Sequence, residues 1–158
     1  MKAAALAPFV LALALACATA RADFTGEVVA IADGDTITVL RDRQPIKVRL
    51  AQIDAPERAQ AFGNRARQAL ADMVFRKQVF VQELGQDQYS RTIGHVWHGQ
   101  VNVNYRMVST GFAWAYRGYV TDPDLLLIEA DARRQKLGLW ADPQPVEPWK
   151  FRRSKKGG

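Results

Sequence analysis

Three short segments of this chain concentrate acids and arginines where turns and strand ends are expected. They are Asp33-Gly34-Asp35-Thr36, Arg49-Leu50-Ala51-Gln52-Ile53-Asp54-Ala55-Pro56-Glu57, and Asp87-Gln88-Tyr89-Ser90-Arg91. Carboxylates offer oxygen ligands to a hard cation, and guanidinium groups offer a planar fork that matches phosphate oxygens. Taken singly, each segment has a plainer explanation. Asp-Gly-Asp is a common turn, a lone arginine in an alternating strand is a solvated face, and Asp-x-Tyr-x-Arg is a loop with its own ion pair. A carboxylate beside proline can cap a turn.

The elements that must position these residues are legible from periodicity. Phe24 to Ala32 is rich in Val and Ile, Thr36 to Leu40 is β-branched, and Ile46-Lys47-Val48-Arg49-Leu50 alternates strictly, so all three read as strands. Gln78 to Gln82 and Thr92 to Trp97 supply two more. Between the third and fourth strands, Phe62, Ala66, Ala69, Leu70 and Met73 share one face at helical spacing. A short helix is expected over Val101–Thr110, ended by Gly111. Another starts at Asp122-Pro123, runs to Leu137 and stops at Gly138, with Glu129 and Arg133 as an i, i+4 pair. The fold class is therefore α+β, mainly β: five strands and three α-helices, in an order compatible with a small Greek-key OB-fold barrel. Trp97, Trp114 and Trp140 are expected in the core. His95 and His98 are too few for a metal site and read as structural or solvent-facing.

Together the three clusters resemble the staphylococcal nuclease family. The resemblance runs from about Phe24 to Trp140 and includes Gly111-Phe112-Ala113 and Leu137-Gly138-Leu139-Trp140. It implies a calcium-dependent phosphodiesterase acting on DNA and RNA with low sequence specificity and leaving 3'-phosphates. It puts Ca2+ on the carboxylates of Asp35 and Asp54 and on the main-chain carbonyl of Ala55. It makes Arg49 and Arg91 the phosphate-holding arginines and Glu57 the general base or water-orienting carboxylate. Such a site meets the needs of phosphodiester hydrolysis: an electrophile, donors for the phosphate oxygens and a positioned water. Tyr89, Tyr116 and Tyr119 are the aromatic candidates for stacking or hydrogen-bonding a nucleotide. Single-stranded or locally melted nucleic acid is the expected substrate, and a monomer the expected state.

The chain departs from the family archetype at three points. Ala55 stands where the archetype has a hydroxyl residue, a change that a main-chain ligand tolerates. Only Arg58-Ala59-Gln60-Ala61 separates Glu57 from the first helix, where the archetype has a longer Lys-rich loop. The Pro-rich, basic segment 141–158 lies beyond the archetype's core, and its run Arg152-Arg153-Ser154-Lys155-Lys156 reads as a solvated basic end.

Residues 1–22 read as a secretory signal: Lys2, then an uncharged apolar run from Ala3 to Ala16, then small residues with A-x-A cleavage patterns. That run is too short to span a bilayer, which takes roughly 20 residues. The remaining 23–140 segment is the expected nuclease domain, periplasmic or secreted and off the membrane after cleavage. Cys17, the only cysteine, falls inside the leader; a lipoprotein anchored through it is the weaker alternative because Ala14 stands where such signals carry a larger aliphatic residue. The net charge is +6, or +4 without Lys2 and Arg21, and favours polyanion capture. The rival readings are a non-catalytic OB-fold nucleic-acid-binding module and a structural envelope protein. Neither explains why acids accompany the arginines, since uncompensated carboxylates repel DNA.

Overall fold

A computed structural model describes residues 22–157. The leader segment expected over residues 1–22 lies outside them, apart from Ala22. Strand β1 is Phe24–Ile31, β2 Thr36–Arg41 and β3 Gln44–Leu50, followed by the two-residue β4, Ile53–Asp54. Helix α1 is Gly63–Val74, then come β5 Gln78–Gln86, β6 Thr92–His98 and the short β7 Val101–Asn102. Helix α2 is Val103–Ser109, β8 Trp114–Ala115, α3 Asp124–Arg134 and α4 Pro148–Lys156, with a 3-10 turn over Gly138–Ala141.

The main sheet runs β3-β2-β1-β5-β6-β7, and its first five strands close on themselves through a parallel pairing of β3 with β6. The result is a closed five-stranded mixed barrel with helices around it, as the OB-fold expectation requires. Its interior is filled by alternating strand residues such as Val28, Ile37, Val39, Val48, Val81 and Val96, all fully buried. The β2–β3 hairpin turns tightly at Asp42-Arg43, both left-handed, so Pro45 lies inside β3 rather than in the turn. Asp122 caps α3 as expected, its Oδ1 accepting the Asp124 N–H at 3.0 Å.

Several features differ from the sequence reading. Helix α3 ends at Arg134 instead of running to Leu137, the helix expected over Val101–Thr110 begins only at Val103 because Val101–Asn102 pairs with β6 as β7, and β5 runs on to Gln86. A fourth helix, α4, forms in the segment expected to be a tail, with Pro148 at its first turn. Trp114 and Trp140 are buried, but Trp97 is only half-buried on β6.

Barrel closure fixes the position of every cluster. Thr36 pairs with Arg49 across β2–β3, and Arg49 pairs with Ile93 across β3–β6. The start of β2, the end of β3 and the start of β6 therefore share one rim. Residues just outside those strand ends, Asp35, Asp54 and Arg91, gather at the same mouth. Asn104, fully buried at the start of α2, locks this rim. Its side chain accepts the Val96 N–H at 3.0 Å and donates to the Ala51 carbonyl at 3.0 Å and the Gly94 carbonyl at 3.1 Å. An apolar side chain there removes the partner of the Val96 N–H and of the Ala51 carbonyl, while the Gly94 carbonyl keeps the Ala51 N–H at 2.8 Å. Asn104→Leu is expected to lose on the order of 2–4 kcal/mol, read as a lowered midpoint in denaturant unfolding; an unchanged midpoint contradicts this role.

Candidate active site at the barrel mouth

The site is built around two buried acids. Asp35 is 5% exposed and Asp54 is 1% exposed. Asp35 leaves the Asp33-Gly34-Asp35 turn, whose glycine is required by space: a Cβ on Gly34 would stand 2.7 Å from the Ala55 Cβ and 2.8 Å from the Ala66 Cβ. Helix α1 thus presses the turn against the segment carrying Ala55. The Ala55 N–H donates to Asp35 Oδ2 at 2.7 Å, tying the two acid-bearing segments together. Asp54 is held from the other side. Its strand β4 pairs with β8, and the β8 residue Ala115 donates its N–H to the buried Glu129 carboxylate at 2.9 Å. Glu129 pairs with Arg133, as its spacing suggested, and also with Arg117.

Arg49 lies between the acids. Its Nη2 is 3.1 Å from Asp35 Oδ2 and 3.0 Å from Asp54 Oδ1. Its Nη1 donates to the Leu50 and Ile53 carbonyls at 2.8 and 2.9 Å, so main-chain acceptors fix the guanidinium. Arg91 is oriented differently. Asp87 Oδ1 accepts the Tyr89 and Arg91 N–H groups at 2.9 and 3.0 Å, and its Oδ2 accepts Arg91 Nε at 2.7 Å. The local ion pair that could have been the whole explanation of this loop therefore also aims the arginine. Beyond Asp87, Arg91 makes a long 3.4 Å contact from Nη1 to Thr36 Oγ1, and its guanidinium lies 5.6 Å from the centre of the Tyr89 ring.

Glu57 follows on the same rim, half-buried. Its carbonyl is covered by Gly63, where a Cβ would fall 1.9 Å from the oxygen, and accepts the Gln60 N–H at 2.8 Å. The short Arg58–Ala61 loop is thereby closed tightly beneath Glu57. All these groups line one groove of about 1220 Å³ that also receives Tyr89, Tyr116, Tyr119, Trp149 and Arg152. A smaller cavity of about 160 Å³ between the loop preceding α1, the 3-10 turn and α4 is mostly apolar and contains none of the paired acids or arginines.

The structure thus gathers Asp35, Arg49, Asp54, Ala55, Glu57 and Arg91 in one groove. The three tyrosines line it in different ways. Tyr89 and Tyr119 are 69% and 63% exposed. Tyr116 is half-buried, 4.7 Å from the Tyr119 ring and stacked at 5.3 Å on Trp149 of α4. His95 and His98 take structural contacts, His95 with Gln52 and His98 with the Gln78 carbonyl.

Three participants escaped the sequence reading. Gln52 accepts the Thr121 and Asp122 N–H groups through its side chain at 2.8 and 3.1 Å, and the Tyr116 N–H through its carbonyl at 2.8 Å, fastening the aromatic loop to the acid-bearing segment. Asp33 sits beside Asp35, and its Oδ1 accepts the Asp35 N–H at 3.2 Å. Arg152 forms the third and least expected contact. Its Nη1 and Nη2 meet Asp54 Oδ1 and Oδ2 at 3.1 and 2.8 Å, and its Nη1 meets Glu57 Oε1 at 2.7 Å. The reading of residues 152–156 as a solvated basic end is corrected at Arg152. No local pattern in the tail pointed to this, because the partners lie more than ninety positions away.

Among the described residues no three His, Cys, Asp or Glu side chains form a ready metal cage. The donor set nevertheless fits a hard cation. Two buried carboxylates sit on the same guanidinium, and burial, reinforced by the charge of Asp35, pushes the Asp54 carboxyl above the usual aspartate range despite Arg152 and Arg49. Such a concentration of negative charge favours an added cation.

A family model described as staphylococcal nuclease homologue matches residues 47–142. The chain is 56% identical over 146 residues to a micrococcal nuclease of Shigella flexneri, covering 85% of this chain and 84% of that protein. It is 54% identical over 154 residues to a protein named ParB of Escherichia coli, covering 90% and 87%. An endonuclease of Haemophilus influenzae is 45% identical over 140 residues, covering 88% and 79%. The chain belongs to the staphylococcal nuclease family, and relatives bearing these names support a nuclease.

Asp33 gives the site a pH signature. Burial, then the adjacent Asp35 charge, pushes its carboxyl up from 3.8 to about 7. Between those values the folded chain holds a proton that the unfolded chain has lost, so stability falls as pH rises through the window. With chelator present, the thermal midpoint is expected to drop between pH 4 and 7, and Asp33→Asn to flatten that slope by up to about one proton. Parallel slopes for the two proteins would remove Asp33 as the cause.

Proposed function

We propose that the protein is an exported, calcium-dependent nuclease that hydrolyses phosphodiester bonds of DNA and RNA with little sequence preference, leaving 3'-phosphates. The observation that carries this reading is the contact of Arg49 with both Asp35 and Asp54 in a groove that also contains Glu57 and Arg91. A nucleic-acid binder gains nothing from two buried acids facing its ligand; a cation-assisted hydrolase needs them.

In this reading the carboxylates of Asp35 and Asp54 and the carbonyl of Ala55 hold the cation. When bound, it polarises a phosphate oxygen and lowers the pKa of an adjacent water. The chain's own residues do the remainder. Arg91, with Nε occupied by Asp87, offers its terminal nitrogens to the non-bridging oxygens. Arg49 keeps the acids side by side and supplies a fixed positive charge close to the phosphate, where it counts most in a water-poor site. Glu57 receives the proton of the attacking water or orients it. Tyr89 and Tyr119 supply exposed rings that stack on any base, which suits a substrate read without sequence and presented single-stranded or locally melted. A monomer is sufficient, since one chain contains the complete set. Export is supported by the composition of residues 1–22, and N-terminal sequencing of protein recovered outside the cytoplasm is expected to begin at Asp23; an intact Met1 terminus there argues against cleavage.

The decisive experiment incubates the protein with plasmid and denatured DNA in calcium, then in excess chelator. Cleavage is expected only in calcium, with 3'-phosphate ends. Glu57→Gln is expected to lower turnover by about 10²–10⁴-fold while leaving calcium affinity nearly intact. Retention of DNA without cutting under all conditions returns the protein to the non-catalytic binding module.

A further inference from the structure

Helix α4 does not merely decorate the barrel. Its Arg152 guanidinium occupies both oxygens of Asp54, an acid whose side chain is 1% exposed, and reaches Glu57 as well. These are a cation ligand and the water-activating carboxylate of the function proposed above, on which this inference rests. We propose that α4 is a releasable latch in which Arg152 competes with the divalent cation for Asp54 and Glu57.

The two guanidinium groups on Asp54 are held very differently. Arg49 is anchored by two main-chain carbonyls on its own rim, with its side chain 14% exposed. Arg152 has only acidic side chains as partners among the described residues, and its own side chain is 37% exposed. It approaches from the solvent side on a nine-residue helix whose only buried residue is Pro148. That helix has no side-chain N-cap and follows the Pro-rich link Asp142–Glu147. It is attached chiefly by Trp149, stacked on Tyr116 and edge-on to Trp114, and by Gln60 donating to the Val146 carbonyl. A few side-chain contacts on a short helix make an element that can lift without opening the barrel.

The competition follows from charge and space. With Arg152 seated, an arriving cation meets a positive charge on both Asp54 oxygens. A cation that binds with the latch out has its affinity reduced by the fraction of molecules in that state. The coupling is reciprocal, so cation binding must loosen α4. Once released, Arg152 joins Arg153 and Lys156, which line the same groove. A polyanionic substrate then favours the released helix, so nucleic acid and cation open the latch together.

The test titrates the protein with calcium alone, by calorimetry, in parallel with hydrogen exchange over residues 148–156. Arg152→Ala is expected to bind calcium about tenfold more tightly than the unsubstituted protein, the scale of one partly exposed bidentate ion pair. Arg153→Ala, which removes an equal charge from the same helix turn, is expected to change affinity much less. In the unsubstituted protein, exchange over α4 is expected to rise as calcium binds. Arg152→Lys, which keeps the charge and loses the fork, is expected to fall between, and it serves if Arg152→Ala does not fold. Equal calcium affinity with and without Arg152, equal gains for the two alanine variants, or weaker binding by Arg152→Ala overturns the latch while leaving the cation site standing. Absence of calcium binding in every protein overturns the site itself, and the latch with it.

Discussion

Two carboxylates buried within reach of one guanidinium set the terms for the rest of this molecule. Asp35 and Asp54 are almost fully removed from solvent, and charges so placed are strongly destabilising unless paired and hydrogen-bonded. Arg49 meets that requirement for both at once, and the carbonyls of Leu50 and Ile53 keep it in position. Much of the surrounding structure reads as support for this arrangement. The Ala55 N–H binds Asp35, β8 pairs with the strand carrying Asp54, and the buried Glu129 holds β8. A concentration of negative charge kept in place by a rigid scaffold is what a hard cation and a phosphate can exploit.

The barrel provides the rigidity. Closure by the parallel β3–β6 pairing brings segments more than forty residues apart to one rim, and Asn104 fastens that rim from beneath. Glycines in the motif region serve close packing. Gly34 admits Ala55 and Ala66, and Gly63 admits the Glu57 carbonyl. A side chain at either place would displace a residue of the site. The small size of Ala55 belongs to the same packing, since its methyl group lies against the space left by Gly34.

The C-terminal helix adds a layer that the barrel does not require. It closes one side of the groove with Trp149 and sets a mobile type of charge, an arginine on a thinly attached helix, against fixed ones on the barrel. The groove therefore has a permanent counter-ion in Arg49 and an exchangeable one in Arg152. That division gives the site a means of tolerating its acids in the absence of other cations.

The sequence by itself determined the five barrel strands, because alternation and local turn chemistry are properties of neighbouring residues; the barrel class and the grouping of the three charged clusters came from the family resemblance, since the strand pattern alone does not single out this fold. The sequence also identified the capping role of Asp122 and the Glu129–Arg133 pair, both of which span a single helical turn. Only the tertiary structure decided that Gln52 ties down the aromatic loop. It alone turned residues 148–156 into a helix whose Arg152 sits on Asp54. Those contacts depend on the meeting of segments as far as 98 residues apart, and a long-range pairing between single charged side chains leaves no periodic trace in either segment. Burial acts the same way: Asp33 looks like any turn aspartate in the chain, and its raised pKa exists only once the fold buries it beside Asp35.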